Sequence, residues 1–282
     1  MNIENVDWQI TSNCNRMCPY CFGPSGVADL PISESKHVVD ILEKLGAKQI
    51  GITGGEPLLY PHIAELIEYI FAKGIRIYLS SNCDLYNEFA PIIKDKVSIL
   101  GVPLDGPTPT IHDAIRGIGS FQNVIYAIAD ICRSNCNTKV KVGTVLNKRN
   151  KNELRDIEKL LSPYQERILF WKIYELIIYP KNRTTALPIK TKYLVDGNSF
   201  GDYINSEKII IDTVEERNRS YFFLKPNGDV FIPYLNHNES VEVPLGNLLH
   251  DDIKLIGCMF QEMVNHSGYN KYFRFMKNPG ER

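Results

Sequence analysis

Three cysteines, Cys14, Cys18 and Cys21, stand in a C-x3-C-x2-C spacing within Asn13-Cys14-Asn15-Arg16-Met17-Cys18-Pro19-Tyr20-Cys21-Phe22. Thiolates this close in sequence can close on one soft metal centre, provided the backbone can wrap it. Just before them, the alternating apolar residues Val6, Trp8 and Ile10 predict a strand, so the cysteines fall at a strand-to-loop transition. Two chemistries are open to such a loop. One is an iron–sulfur cubane with one iron left uncovered. The other is a zinc site completed by a histidine such as His37 or His62, although zinc sites usually show two ligand pairs and no second cysteine pair lies nearby.

The composition allows a buried site of this kind. The chain has 282 residues, 44% hydrophobic and 23% charged, with a formal net charge of -1. That is ordinary for a globular protein, and it gives no field for nucleic acid or a membrane surface. The start, Met1 to Asn5, lacks a basic flank and an apolar stretch, so no signal peptide is expected. No apolar run approaches the roughly 20 residues of a membrane span. Seven cysteines, three of them clustered, do not read as a disulfide framework, and a reducing cytoplasm is the expected location.

Strand and helix patterns alternate along the chain, which predicts parallel βα units. Helices are expected from Ser33 to Leu45, from Pro61 to Gly74, from about Ser120 to Ser134 and from about Lys151 to Leu161. Strands are expected at Gln49–Thr53, Ile75–Ser80, Val97–Leu104, Val140–Val145 and Phe170–Ile178. Six such units are two short of a closed eight-fold barrel. The expected fold is therefore an α/β open partial (β/α)6 barrel over residues 1–180, followed by a small α+β capping region over 181–282. In that region a helix is expected at about Tyr203–Arg217, a loop at Leu187–Asn198, and a hairpin turning at Asn227-Gly228. The loops Gly54-Gly55-Glu56-Pro57, Ser80-Ser81-Asn82, Leu104-Asp105-Gly106 and Val145-Leu146-Asn147 all follow strands. Together with the cysteine loop they should converge on one mouth.

The cysteine spacing, the Gly54-Gly55-Glu56-Pro57 loop, the Ser-Asn element and the Leu-Asp-Gly element together resemble the radical S-adenosylmethionine (radical SAM) enzymes. The resemblance covers roughly residues 6 to 178. It implies that Cys14, Cys18 and Cys21 hold a [4Fe-4S] cluster whose fourth iron is chelated by S-adenosylmethionine. Reductive cleavage then yields a 5′-deoxyadenosyl radical that takes a hydrogen atom from substrate. It further implies cofactor contacts from Gly54, Gly55, Glu56 and Pro57, and from Ser80, Ser81 and Asn82. Asp105, Val145 and Arg116 are expected there too, the arginine on the methionyl carboxylate, with Tyr20 and Phe22 shielding the cluster. Glu56 is expected to shape its loop more than to touch the ligand. An electron donor such as a flavodoxin or ferredoxin is implied as partner.

The substrate side is read from the fifth and sixth strands. In Lys139 to Asn147, the residues Lys139, Lys141, Gly143 and Val145 share one face. A lysine turned into a barrel lumen is costly unless it meets an anion, so Lys141 and Lys172 are substrate-site candidates. The stretches Lys141–Asn150 and Trp171-Lys172-Ile173-Tyr174 resemble viperin-like nucleotide dehydratases, which implies a nucleotide substrate. The chain departs from that pattern at Gly143, at Phe170 and in the loop Gly23-Pro24-Ser25-Gly26, which lacks the lysine of that family. By contrast, Leu104-Asp105-Gly106 with His112-Asp113 and Arg116-Gly117 resembles the SPASM/twitch-type peptide- and carbohydrate-modifying enzymes, without their auxiliary-cluster cysteines. A non-catalytic iron–sulfur binding or sensor protein is the reading from a different class.

Overall fold

The computed structural model of the chain describes residues 3–177, 192–195, 208–236 and 239–269. Strands β1 (Asn5–Thr11), β2 (Gln49–Gly54), β3 (Arg76–Ser80), β4 (Ile99–Pro103), β5 (Lys139–Leu146) and β6 (Ile168–Glu175) alternate with helices. These are α1 (Ile32–Lys44), α2 (Ile63–Ala72), α3 (Tyr86–Lys96), α4 (Pro109–Arg116), α5 (Ser120–Arg133) and α6 (Leu154–Leu161). Each strand pairs in parallel with the next. Right-handed crossovers of this kind place every helix on the same side of the sheet and leave the other side as a lumen.

The strand period fixes which residues meet which side. Val6, Trp8 and Ile10 of β1 are fully buried beneath the helices, with Ile50, Ile52, Ile77, Leu79, Leu100, Val140 and Val142 from the neighbouring strands. Val38, Val39 and Leu42 of α1 and Leu66, Ile67 and Ile70 of α2 close the other half of that core. On the lumenal side the register runs Asp7, Gly51, Tyr78 across β1, β2 and β3. Gly101 and Lys141 face each other on β4 and β5. The glycines here make room for side chains. A Cβ at Gly51 would stand 2.5 Å from Asp7 Oδ1, and one at Gly101 would stand 2.6 Å from Tyr78 Cε2.

The barrel stays open because its edges are taken by other strands. β6 pairs in parallel with β7 (Ile209–Asp212), and β1 pairs with β8 (Phe223–Leu224). β8 continues antiparallel into β9 (Asp229–Asn236) and β10 (Glu239–Asn247). The described strands therefore form one ten-stranded sheet, in the order β10-β9-β8-β1-β2-β3-β4-β5-β6-β7. The short helix α7 (Val214–Arg217) and helix α8 (Ile253–Met263) complete the described elements beyond the barrel.

Two expectations need correction. The helix expected at Tyr203–Arg217 is, from Ile209 to Asp212, a strand. Three consecutive isoleucines there pair with Trp171 to Ile173 of β6, and β-branched residues suit a pleated surface better than a helix. Helix follows only at Val214–Arg217, capped reciprocally by Thr213 and Glu216. Arg116, expected in a loop preceding a helix, is instead the last residue of the helix α4. Pro109 opens it, and Gly117 ends it with φ of 100°. The hairpin turn at Asn227-Gly228 lies between β8 and β9, with Gly228 at φ 88°. The loop expected at Leu187–Asn198 lies largely outside the described residues.

Trp8 is the largest fully buried side chain, and its indole N–H is without a hydrogen-bond partner among the described residues. Trp8→Ala should lower unfolding free energy by about 3–5 kcal/mol in urea titration. Trp8→Phe, which removes the unpartnered N–H while keeping most of the ring, should cost well under half of that. Equal losses for the two substitutions would contradict this packing.

Candidate active site

The loops after β1 to β5 do meet at one mouth, and backbone bonds fasten them. Gly55 N–H donates to Thr11 O at 2.7 Å and Glu56 N–H donates to Asn13 O at 2.7 Å, so the second loop is stitched to the root of the cysteine loop. The approach is close enough to require glycine. Gly54 has φ of 141°, and a Cβ on it would stand 2.6 Å from Thr11 O. Gly23 is equally confined, since its Cβ would meet Gly54 O at 2.7 Å.

Each of the three half-buried thiols receives at least one hydrogen-bond donor. Arg16 N–H donates to Cys14 Sγ at 3.4 Å, Gly23 N–H to Cys21 Sγ at 3.3 Å, and Arg116 Nη1 to Cys18 Sγ at 3.8 Å. Donors aimed at sulfur favour thiolates and are among the protein's means of tuning a cluster. Among the described residues no group of three His, Cys, Asp or Glu is placed to hold a single metal ion. A cubane instead takes each thiolate on a different iron, so sulfurs spread around a loop suit it.

Two residues of this loop system, Arg16 and Asp84, were not singled out in the sequence. Arg16 donates through Nε and Nη2 to both oxygens of Asp84, at 2.7 and 2.5 Å, and through Nη1 to the carbonyls of Arg116 and Gly117. Asp84 also accepts from Asn15 and Asn123. The fork therefore ties the cysteine loop to the loops after β3 and β4, a bidentate geometry that lysine could not supply. A cation placed between two thiolates was the available signal.

Glu56 acts as a strut. Its Oε1 accepts from Leu58 N–H at 3.1 Å and Ser81 Oγ at 2.8 Å, and its Oε2 accepts from Asn82 N–H at 2.7 Å. Burial pushes its carboxyl up to about 7, against the pull of those donors. Asp105 is a second strut, fully buried. Its Oδ2 accepts from Arg116 Nε at 2.5 Å and Tyr20 Oη at 3.1 Å, and its Oδ1 from Val145 N–H at 2.7 Å. Its own N–H donates to Nδ1 of His112, a ring that burial keeps neutral by lowering its pKa to about 4. Burial works against the Arg116 charge, but Asp105, with Cys18 and Tyr20, more than offsets it and holds the guanidinium ionised.

A cavity of about 290 Å³ opens below this mouth. Cys14, Cys18, Cys21, Tyr20, Phe22, Gly54, Gly55, Ser80, Ser81, Asn82, Arg116 and Val145 line it, and so do Lys141 and Lys172. Glu56, Pro57 and Asp105 are buried and lie outside that lining, and His37 and His62 lie outside it as exposed residues. Deeper in, Lys141 Nζ donates to the hydroxyls of Tyr78, at 3.4 Å, and Tyr174. Lys172 Nζ lies 2.7 Å from Asp212 and donates to Tyr221 Oη at 3.0 Å. Arg217 reaches the same Asp212 at 3.7 Å. Burial lowers Lys141 to about 8 and Lys172 to about 7, although Asp212 pulls both back up. Asp7, on β1, is raised by burial to about 6 against the pull of Lys172 and Lys141.

Three thiols with sulfur-directed donors at the carboxyl end of β1, facing a backbone-stitched Gly-Gly-Glu-Pro loop in an open parallel barrel, define a site for radical chemistry. The family model described as the radical SAM superfamily matches residues 8–161, and the chain belongs to that superfamily. It is an enzyme, and its cofactors are a [4Fe-4S] cluster and S-adenosylmethionine. Among its relatives is the mycofactocin maturase MftC of Mycobacterium tuberculosis, 32% identical over 165 residues that make up 56% of this chain and 42% of MftC. An AdoMet-dependent heme synthase of Nitratidesulfovibrio vulgaris is 29% identical over 191 residues, 64% of this chain and 50% of the synthase. The chain thus spans about half the length of the curated relatives it matches. Streptococcus suis SuiB bound to S-adenosylmethionine shares the fold, with a TM-score of 0.67 at 14% identity over 95% of this chain and 67% of SuiB. No helix among the described residues is long and apolar enough to cross a membrane.

The strut role of Glu56 is testable. Glutamine in its place must turn an amide NH2 toward either Asn82 N–H or the Leu58 and Ser81 donors. Glu56→Gln should therefore cost about 1–3 kcal/mol in thermal or chemical unfolding. Calorimetry should also show S-adenosylmethionine affinity weakened on the order of tenfold, although Glu56 stands behind the cavity wall. Unchanged stability and affinity would remove the strut assignment.

Proposed function

We propose that this enzyme takes a hydrogen atom from a substrate carrying one anionic group, a peptide or small molecule with a carboxylate, and that Lys141 receives that group. The cluster and S-adenosylmethionine, when bound, supply the 5′-deoxyadenosyl radical. The chain's residues divide the remaining work. Gly54, Gly55, Ser80, Ser81, Asn82, Val145 and Arg116 form the cofactor wall, with Arg116 presenting a cation to the methionyl carboxylate. Tyr20 and Phe22 exclude water beside the cysteines. Lys141 holds the substrate.

The observation that carries this reading is the state of Lys141. It is buried on the lumenal face, steadied by two phenols, and it makes no ion pair among the described residues. An ammonium so placed is matched by an incoming anion. Lys172 and Arg217, by contrast, already share Asp212. Asp7 and Glu175 also line the cavity, so Asp7, Glu175 and Asp212 balance Lys141, Lys172 and Arg217 in number and leave no surplus of cations deep in the lumen. That balance suits a single carboxylate or phosphate better than the several charges of a nucleoside triphosphate, which is the viperin-like reading. The relatives support the carboxylate-bearing class. One is named a mycofactocin maturase, and SuiB has been solved bound to the precursor peptide SuiA.

Reconstituted, reduced protein should convert S-adenosylmethionine to 5′-deoxyadenosine, and Cys18→Ala should abolish this. In a substrate panel of ribonucleoside triphosphates and carboxylate-bearing peptides and metabolites, the true class should accelerate cleavage. Lys141→Met should keep the slow uncoupled cleavage and lose the acceleration. Acceleration by triphosphates alone would overturn the single-anion reading.

The pH dependence has a definite sign. Anion binding needs the Lys141 ammonium, so kcat/KM should be full below pH 8 and fall as pH rises through about 8. Lys141→Arg, which stays charged throughout, should abolish that alkaline limb while uncoupled cleavage keeps the wild-type profile. An alkaline limb unchanged in the arginine variant would assign it to another group.

A further inference from the structure

Most of the charged side chains deep in the lumen are already committed. Lys172 and Arg217 share Asp212, and the carboxylate of Glu175 accepts the Val214 N–H at 2.7 Å, at the start of α7. Two charges are not. Lys141 is met by phenols alone, and the carboxylate of Asp7 accepts no hydrogen bond and forms no ion pair among the described residues. Asp7 lies mid-strand, laddered to β2 on one side and β8 on the other, so its place on the cavity wall is rigid. Burial raises its carboxyl only to about 6, which leaves it an anion at neutral pH. A carboxylate held there costs desolvation that no contact within the fold offsets.

Tyr78 keeps these two charges apart. The point that a Cβ on Gly51 would occupy lies 2.5 Å from Asp7 Oδ1 and 3.2 Å from Tyr78 Cδ1, whereas the far end of the same ring, Oη, accepts from Lys141 Nζ at 3.4 Å. The anion and the cation therefore stand about a phenol ring apart along one wall, and all three residues line the cavity. A metal ion is a poor match for Asp7, since it takes several oxygen ligands at once and no group of three His, Cys, Asp or Glu is placed for one among the described residues. An organic ammonium is satisfied by one carboxylate and aromatic ring faces, and Tyr78 and the β8 residue Phe223 lie beside Asp7.

We propose that Asp7 is a second substrate-binding residue, receiving an ammonium group on the same molecule whose carboxylate meets Lys141, so that the lumen selects a zwitterion of the free amino-acid class. This rests on the role of Lys141 given above and narrows the substrate that it receives. A simple carboxylate would leave Asp7 unanswered inside the closed cavity. A zwitterion answers both charges and keeps the lumen neutral.

The test is equilibrium binding, read by calorimetry on the reconstituted protein with its cluster oxidised and S-adenosylmethionine present, so that nothing turns over. The probes are glycine, β-alanine, 4-aminobutanoate and 5-aminopentanoate, whose charges stand progressively farther apart, each set against the acid of equal chain length without the amino group, from acetate to pentanoate. At least one zwitterion should bind wild type about tenfold or more tightly than its matched acid. Asp7→Asn should abolish that preference and leave the affinities of the acids within about twofold of wild type. Its unfolding in urea should need no less denaturant than wild type, because no contact of the carboxylate is lost. A wild type that prefers no zwitterion, a preference retained in Asp7→Asn, acid binding lost along with it, or a destabilised variant would each overturn the proposal. Lys141→Met should weaken acids and zwitterions alike. Acids bound normally by that variant would overturn the role of Lys141 instead, so the two failures are separable.

Discussion

Two carboxylates without direct access to the cavity hold this site in shape. Parallel strands deliver their loops to one end of a sheet, but short loops leaving different strands have no backbone ladder to keep them together. Glu56 supplies that link between the ends of β2 and β3, and Asp105 supplies it between β4, β5 and the cysteine loop. Both are buried and collect several donors each. Arg16 and Asp84 complete the set with a fork that reaches three loops. A charge at such a point costs desolvation and is retained because both oxygens of each carboxylate accept hydrogen bonds, three in Glu56 and three in Asp105.

The lumen follows the same rule with a different outcome. Glycines at 51, 101 and 143 leave one position on each of β2, β4 and β5 without a side chain, and Tyr78, Asp7, Lys141 and Tyr174 occupy the space so released. Asp212 answers Lys172 and Arg217, while Lys141 is met only by phenol oxygens and ring faces among its close contacts. Phenols can orient an ammonium without cancelling its charge. That difference is why Lys141, and not Lys172, is the residue proposed to meet the substrate.

Much of this was legible in the sequence because periodicity and turn chemistry are local. The alternation in β1 and β5, the glycines after α2 and in the β8–β9 turn, and the Gly-Gly-Glu-Pro loop all report short-range constraints. What was not legible depends on partners distant along the chain. Ile209 to Ile211 become a strand only because β6 offers an open edge. Asp105 reads as a mouth residue from its place at a strand end, yet its side chain turns to Arg116, Tyr20 and Val145. Arg16 looked like a spacer between cysteines, since its partner Asp84 lies 68 residues away. Likewise, a lysine on the lumenal face can be found from period two, but whether a carboxylate already answers it cannot.

The two halves of the cavity also come from different parts of the chain. The superfamily match ends at residue 161, and it contains the cysteines, the Gly-Gly-Glu-Pro loop, Arg116 and Lys141. Lys172, Tyr174, Asp212, Arg217, Tyr221 and Phe223 lie beyond it. Tyr221, Phe223 and Phe231 stack at centroid spacings of 5.2 Å, and Phe223 in turn meets Phe22 beside Cys21, so the later wall is built onto the cofactor wall by aromatic packing. Because β7 and β8 add to opposite edges of the barrel, the wall that follows the matched region closes around the lumen from both sides.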